Sequence, residues 1–255
     1  MKLTHDWNSH WLPRAYLSQY YQTAEVAGDE KAILQFITAH LKGRDKPFSS
    51  GIDVGAGPTL HHEIGLVPYV LQLDVADYLP QNLAEIQKWL VGDPDAHNWD
   101  VYIRGILKLE GVSNPNAAAI DARRKLVKQR IGKLRHCDIK SATPLGEARR
   151  YPLVTAFYVA DSVASSKADW RQYMANITTL VEPGGTLLMS ALRNAEFYRV
   201  GDALFPSAKV TEDDVERLLH DLDYDPRSIN VQVEFISDWK DEGFDSIIMA
   251  IARKK

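Results

Sequence analysis

Two short runs in this chain combine the residue types that hold a nucleoside. The first, Gly51-Ile52-Asp53-Val54-Gly55-Ala56-Gly57-Pro58-Thr59, carries an apolar strand pattern straight into two closely spaced glycines. Bare backbone at such a turn lets a cofactor approach the main chain. The second, Leu73-Asp74-Val75-Ala76-Asp77-Tyr78, reads as a strand ending in a carboxylate, which can accept from sugar hydroxyls. Together they predict a nucleoside-cofactor site.

The residues after the glycines narrow the choice of nucleoside. A dinucleotide loop wants a third glycine or alanine where the helix packs against the strand, and Leu60 stands there. A phosphate loop would continue into Gly-Lys-Ser/Thr, and this one does not.

The elements that must position these residues alternate as a parallel sheet requires. Strands are expected at 51–54, 69–75, 135–139, 151–160 and 186–192. The 151–160 run is nearly all apolar and β-forming, the mark of a central strand buried on both faces. Helices are expected at 30–41, 60–65, 82–90, 117–134, 169–181 and 215–222, the last opened by the capping residues Thr211-Glu212-Asp213-Asp214. Pro183-Gly184-Gly185 should turn the chain from helix into the fifth strand, and 229–236 with 244–252 should close the sheet as an antiparallel hairpin. Residues 91–116 are poorly patterned and are expected to hold an insertion. Before the first strand, residues 7–21 hold two tryptophans and three tyrosines, which suits a lid or the core face of a first helix.

Composition sets the outer bounds. At 255 residues and 45% hydrophobic content the chain can build one sizeable core. One domain over 1–255 is expected, with 1–45 as lid and cap helices within it. Thirty basic and 34 acidic residues leave a net charge of −4, with no concentrated basic face for a nucleic acid. Cys137 is the single cysteine, so no intramolecular disulfide forms, and a buried inert thiol is expected. The first residues lack the apolar core of a signal peptide, and no apolar run reaches the ~18 residues of a membrane span. A cytoplasmic protein, monomeric or weakly dimeric and working on a small molecule, is the expectation.

Order and wording together go further. Asp53-Val54-Gly55-Ala56-Gly57-Pro58-Thr59, Asp77-Tyr78-Leu79-Pro80-Gln81-Asn82-Leu83, Cys137-Asp138, Pro144-Leu145-Gly146, Glu182-Pro183-Gly184-Gly185 and Tyr16-Leu17-Ser18-Gln19-Tyr20-Tyr21 resemble the nicotinamide, phenylethanolamine and indolethylamine N-methyltransferases. These are class I S-adenosylmethionine-dependent enzymes. The likeness runs from Arg14 to Arg253. It implies an α/β fold: a Rossmann-like, doubly wound seven-stranded sheet, mostly parallel with a C-terminal antiparallel hairpin, plus an N-terminal helical lid.

The resemblance also implies roles. Gly55 and Ala56 would approach the methionine part of S-adenosyl-L-methionine, Gly57 and Thr59 would also contact the cofactor, Asp77 would hold its ribose, and Asn82 would lie beside it. Asp138 and Ile139 would frame the adenine, Phe157 would flank the cofactor, and Tyr16 and Tyr21 would form the lid. His61 occupies a family tyrosine position. His61-His62-Glu63 is not expected to bind metal, because consecutive helix positions do not converge on a point. On the acceptor side, Ala191 stands where relatives are expected to carry an anchoring carboxylate. Tyr198 and Ser207 match pocket positions, and Tyr20, Tyr158 and Asp245 could join them. Arg193 and Arg199 read as surface residues.

Methyl transfer from a sulfonium needs alignment, exclusion of water and an acceptor with a free lone pair. No catalytic residue is assigned. Transfer to nitrogen is the leading reading; transfer to oxygen, sulfur or carbon, a cofactor-binding relative without activity, and a nicotinamide-dependent oxidoreductase stay open.

Overall fold

The computed structural model describes residues 3–236 and 243–255. Three helices lead in: α1 (Trp7–His10), α2 (Pro13–Tyr20) and α3 (Gly28–Leu41). The alternating body comprises β1 (Gly51–Val54), α4 (His61–Leu66), β2 (Leu73–Asp77), α5 (Pro80–Val91), α6 (Asp100–Leu109), α7 (Ala117–Arg130), β3 (Ile131–His136), β4 (Tyr151–Phe157), α8 (Ala160–Val163), α9 (Lys167–Thr178) and β5 (Val181–Leu192). A small hairpin, β6 (Phe197–Val200) and β7 (Ala203–Pro206), precedes α10 (Glu212–Asp221), β8 (Asn230–Phe235) and β9 (Ser246–Arg253).

The seven-stranded sheet has the order β3-β2-β1-β4-β5-β9-β8. Strands β1 to β5 pair in parallel, while β9 runs antiparallel to both β5 and β8. The expected architecture is therefore present. Strand order reverses between β1 and β4, so the crevice beyond their carboxyl ends is where such a sheet binds ligands.

Period-two alternation sorts the strand residues into two core layers. Leu73, Val75, Leu153, Phe157, Leu188 and Leu192 face the layer built with α3, α4 and α6. Ile52, Val54, Val154, Ala156, Met189 and Ala191 face the layer that holds Trp170 and Ile177 of α9 and Leu218 and Leu219 of α10. Burial on both sides explains why β4 reads as an apolar run.

Four expectations are corrected. The basic helix ends at Arg130 because Ile131 takes extended backbone and begins β3, which pairs Leu134 with Val75. That edge strand is half exposed, so no apolar run announces it. The expected insertion contains α6, whose Tyr102, Ile103, Ile106 and Leu107 are buried along one face. Strand β5 starts at Val181, ahead of Pro183-Gly184-Gly185, and the register with β4 jumps there from Tyr151↔Val181 to Leu153↔Thr186. The β6–β7 hairpin, turned at Gly201-Asp202, has no counterpart among the expected strands. Among the described residues no helix is long and apolar enough to cross a membrane.

Candidate active site

The glycine loop is tied to the end of β2. The N–H groups of Gly55 and Ala56 both donate to the Ala76 carbonyl, at 2.8 and 3.1 Å, and Gly57 N–H donates to Asp77 Oδ2 at 2.9 Å. Gly55 and Gly57 hold φ of +73° and +63°, the left-handed region that costs other residues. Their surroundings differ. A Cβ on Gly55 would stand 2.1 Å from Val159 Cγ2, whereas one on Gly57 would meet no atom within 4 Å. Gly55 thus lets the segment after β4 close in, and Gly57 presents backbone to open space.

Asp77 is almost wholly committed to this arrangement. An ionised carboxylate offers about four lone-pair positions. Oδ1 accepts from Leu79 N–H at 2.8 Å and Asn82 Nδ2 at 3.0 Å, and Oδ2 accepts from Gly57. One position on Oδ2 remains, enough for one hydroxyl unless Gly57 gives way. Burial pushes the carboxyl above its ordinary value, and the three donors work against that rise.

Around this junction lies a cavity of about 260 Å³ at the carboxyl ends of β1, β2 and β4. Every residue expected to meet the cofactor lines it: Tyr16, Tyr21, Gly55, Ala56, Gly57, Thr59, His61, Asp77, Asn82, Asp138, Ile139 and Phe157. Thr59 Oγ1 donates to the Ala56 carbonyl at 2.7 Å, stiffening the loop. Asp138 Oδ1 accepts from Lys140 N–H at 2.9 Å, and Asn176 Nδ2 donates to the Ile139 carbonyl at 2.8 Å, which fixes the far wall. Cys137 lines the same wall, its thiol pushed up to about 12 by burial. From the N-terminal helices come Trp7 and Trp11; Trp11 Nε1 donates to Asn82 Oδ1 at 2.9 Å and so links the aromatic segment to the Asp77 network.

A smaller chamber of about 80 Å³ adjoins the cleft and shares with it Trp11, Tyr16, Tyr21, Tyr158, Ser162 and Tyr198. Tyr20, Ala27, Leu192, Phe244, Asp29 and Glu30 complete its wall. Of the expected acceptor residues, Tyr20, Tyr158 and Tyr198 are therefore brought together. Three are not. Ala191 belongs to the opposite core layer, because alternation along β5 turns Leu192 rather than Ala191 toward the chamber. Ser207 is buried beyond β7 and touches neither cavity, and Asp245 is exposed, accepting from Ser246 Oγ at 2.9 Å. Arg193 is paired with Glu212, at 2.7 and 2.8 Å. Asp29 and Glu30 escape a reading of the sequence because acidic residues in a helix's first turn ordinarily serve the helix dipole. No pattern in the sequence foretells that α3 points them inward.

Beside the chamber, His61 and His62 converge after all. Their Nε2 atoms lie 2.7 and 3.1 Å from Glu30 Oε2, and their rings are 3.8 Å apart. Glu63 instead lies within reach of Asp53, wholly buried, and burial and that neighbour push its carboxyl well above the ordinary value. For Glu30, burial alone would raise the carboxyl; the two imidazoles outweigh it and hold the group below its usual range.

A model of the NNMT/PNMT/TEMT family matches residues 1–255. The chain belongs to the NNMT/PNMT/TEMT family. Nicotinamide N-methyltransferase of Homo sapiens is 27% identical over 225 residues, 85% of this chain and 83% of the human protein. Indolethylamine N-methyltransferase of Mus musculus is 26% identical over 226 residues, with the same coverage of each. The N-methyltransferase NodS of Bradyrhizobium japonicum, in complex with S-adenosyl-L-homocysteine, shares the fold with a TM-score of 0.54 at 13% identity, over 94% of this chain and 98% of that one. As a member of the NNMT/PNMT/TEMT family this protein is an S-adenosylmethionine-dependent methyltransferase. Its residues fit that cofactor: the open face at Gly57 and the spare lone pair of Asp77 supply a backbone cradle and a hydroxyl acceptor in one cleft.

Proposed function

We propose that this enzyme methylates the nitrogen of a small amine held in the aromatic chamber. The observation that carries the reading is the chamber itself. Tyrosine, tryptophan and phenylalanine rings surround a small volume that adjoins the cofactor cleft, and Asp29 of α3 stands in its wall. Ring faces attract a cationic amine by ~0.5–2 kcal/mol each. The Asp29 carboxylate complements them, and Tyr158 O–H lies 3.5 Å from its Oδ2. A volume this small favours a compact acceptor.

Placement in the cleft, together with the family's pattern, supports the following roles for its residues. Bound S-adenosylmethionine supplies an electrophilic methyl on sulfur. Gly55, Ala56, Gly57 and Thr59 would seat its amino-acid end, Asp77 its ribose, and Asp138 and Ile139 its adenine. Tyr16, Tyr21, Trp7 and Trp11 would exclude water, and the shared rings Tyr158 and Tyr198 would set the acceptor's line of approach. An ammonium must lose its proton before it attacks, and the Asp29 carboxylate in the chamber wall is the group placed to take it.

Labelled cofactor offered with amines, heteroarenes, phenols and thiols tests the reading. Methyl is expected on nitrogen. Asp29→Asn should lower kcat/KM for the amine by roughly 10- to 150-fold, the worth of a ~1.5–3 kcal/mol contact to charge, with cofactor affinity unchanged. Transfer only to oxygen or sulfur would remove the proposal.

A further inference from the structure

The wall between the cleft and the chamber carries a group of donors that methyl transfer does not use. Glu30 of α3 and His61 and His62 of α4 each offer one ligand atom, and all three atoms lie within 4.8 Å of one another. The three side chains are buried. Two imidazoles and one carboxylate form the donor set of zinc sites that keep a position open, and it also suits ferrous iron.

A hydrogen-bonded triad would account for only part of this geometry. His62 Nε2 is placed to share a hydrogen with Glu30 Oε2. His61 is not: its Nε2 is 2.7 Å from the same oxygen yet misaligned for a hydrogen bond, and its Nδ1 also has no partner. A wholly buried imidazole with neither nitrogen bonded is costly. A metal ion taking the Nε2 lone pair removes that atom's share of the cost. Ligand atoms around a tetrahedral zinc stand ~3.3 Å apart, so the two histidine-to-carboxylate distances of 2.7 and 3.1 Å each need to open by less than about 1 Å to admit one.

The surroundings already do what an outer shell does. Tyr21 O–H donates to Glu30 Oε1 at 3.0 Å and aims Oε2 at the histidines. His61 is packed by Trp99, whose ring lies 5.9 Å away at 23°, and His62 by Phe157 at 4.3 Å. Both rings are thereby fixed. His61 and His62 also line the cleft, and Glu30 lines the chamber, so a fourth position would open into the cavity.

We propose that Glu30, His61 and His62 bind a divalent transition-metal ion of the zinc or ferrous class at the junction of the two cavities, joining α3 to α4. The proposal stands independently of the acceptor's identity. Zn²⁺, anaerobic Fe²⁺ and, as the hard-ion control, Mg²⁺ are each titrated into the metal-stripped full-length protein without cofactor. One equivalent of Zn²⁺ or Fe²⁺ should bind and raise Tm, Mg²⁺ should do neither, and Co²⁺ should give visible d–d bands. In Glu30→Gln and His61→Gln the Zn²⁺ affinity should fall more than ~100-fold, beyond the loss typical of an outer-shell change, with far-UV circular dichroism and a cooperative thermal transition confirming the fold. The wild-type Tm readout stands even if a variant fails to fold. Folded wild type that binds neither Zn²⁺ nor Fe²⁺, or variants that bind Zn²⁺ as tightly as wild type, would overturn the site.

Discussion

Gly55 and Gly57 share a backbone conformation but not an environment, and replacing each by alanine separates the two costs. Both substitutions place a Cβ at positive φ, worth ~1–2 kcal/mol. At Gly55 the Cβ also runs into Val159, 2.1 Å from Cγ2 and 2.5 Å from Cβ, and overpacking of this kind adds ~1–3 kcal/mol. The sum is ~2–5 kcal/mol for Gly55→Ala against ~1–2 kcal/mol for Gly57→Ala. With a urea m-value of about 3 kcal/mol/M the midpoints should fall by roughly 0.7–1.7 M and 0.3–0.7 M. Ligand binding should rank them the other way per unit of stability lost. The Gly57 methyl meets no protein atom and occupies cleft space, so Gly57→Ala should weaken S-adenosylhomocysteine at least ~10-fold while the protein stays folded. Urea unfolding and calorimetric titration read both effects. Equal midpoint shifts, or Gly57→Ala with unchanged affinity, would refute the reasoning.

Two named contacts give further expected outcomes. Burial pushes the Asp161 carboxyl up to about 7 from 3.8, against the Leu192 N–H that donates to its Oδ2 at 2.9 Å. The folded state therefore favours the protonated form. That penalty is absent below about pH 4, grows as pH rises and is complete above about 7, where it reaches roughly 4 kcal/mol. Asp161→Asn should gain on the wild type in urea unfolding at pH 8 relative to pH 4, and a difference independent of pH would contradict the ionisation account. Trp11→Phe removes the 2.9 Å bond to Asn82 Oδ1. Cofactor affinity should then fall roughly 2- to 10-fold for a ~0.5–1.5 kcal/mol bond, and an unchanged Kd would mean the aromatic segment is not coupled to the Asp77 network.

The cofactor side is legible because local sequence carries it. A strand entering glycines must turn there, and Asp77 ends the neighbouring strand, so topology alone brings the two together. Leu60 likewise declares itself as the wrong residue for a dinucleotide. Acceptor-side residues depend on orientations that short spacing does not encode. The expected place for Ala191 is one residue out of phase along β5, where a single step exchanges one sheet face for the other. Asp29 and Glu30 look like ordinary helix-start residues until α3 is packed against α4. His61 and His62 have no reason to converge on their own helix alone. Their common partner, Glu30, comes from an element 31 and 32 positions earlier in the chain. Helix α6 stays hidden because glycines at 92, 105 and 111 punctuate its region, and β3 because an edge strand keeps half its residues polar.

Calorimetric titration of S-adenosylhomocysteine into the wild type and Asp77→Ala tests the central claim most directly. One site per chain is expected in the wild type. Binding at least ~10-fold weaker is expected in Asp77→Ala, because the variant loses both the hydroxyl acceptor and the anchor of Gly57 N–H. Folded wild type that gives no heat, or Asp77→Ala that binds as tightly as the wild type, would contradict it.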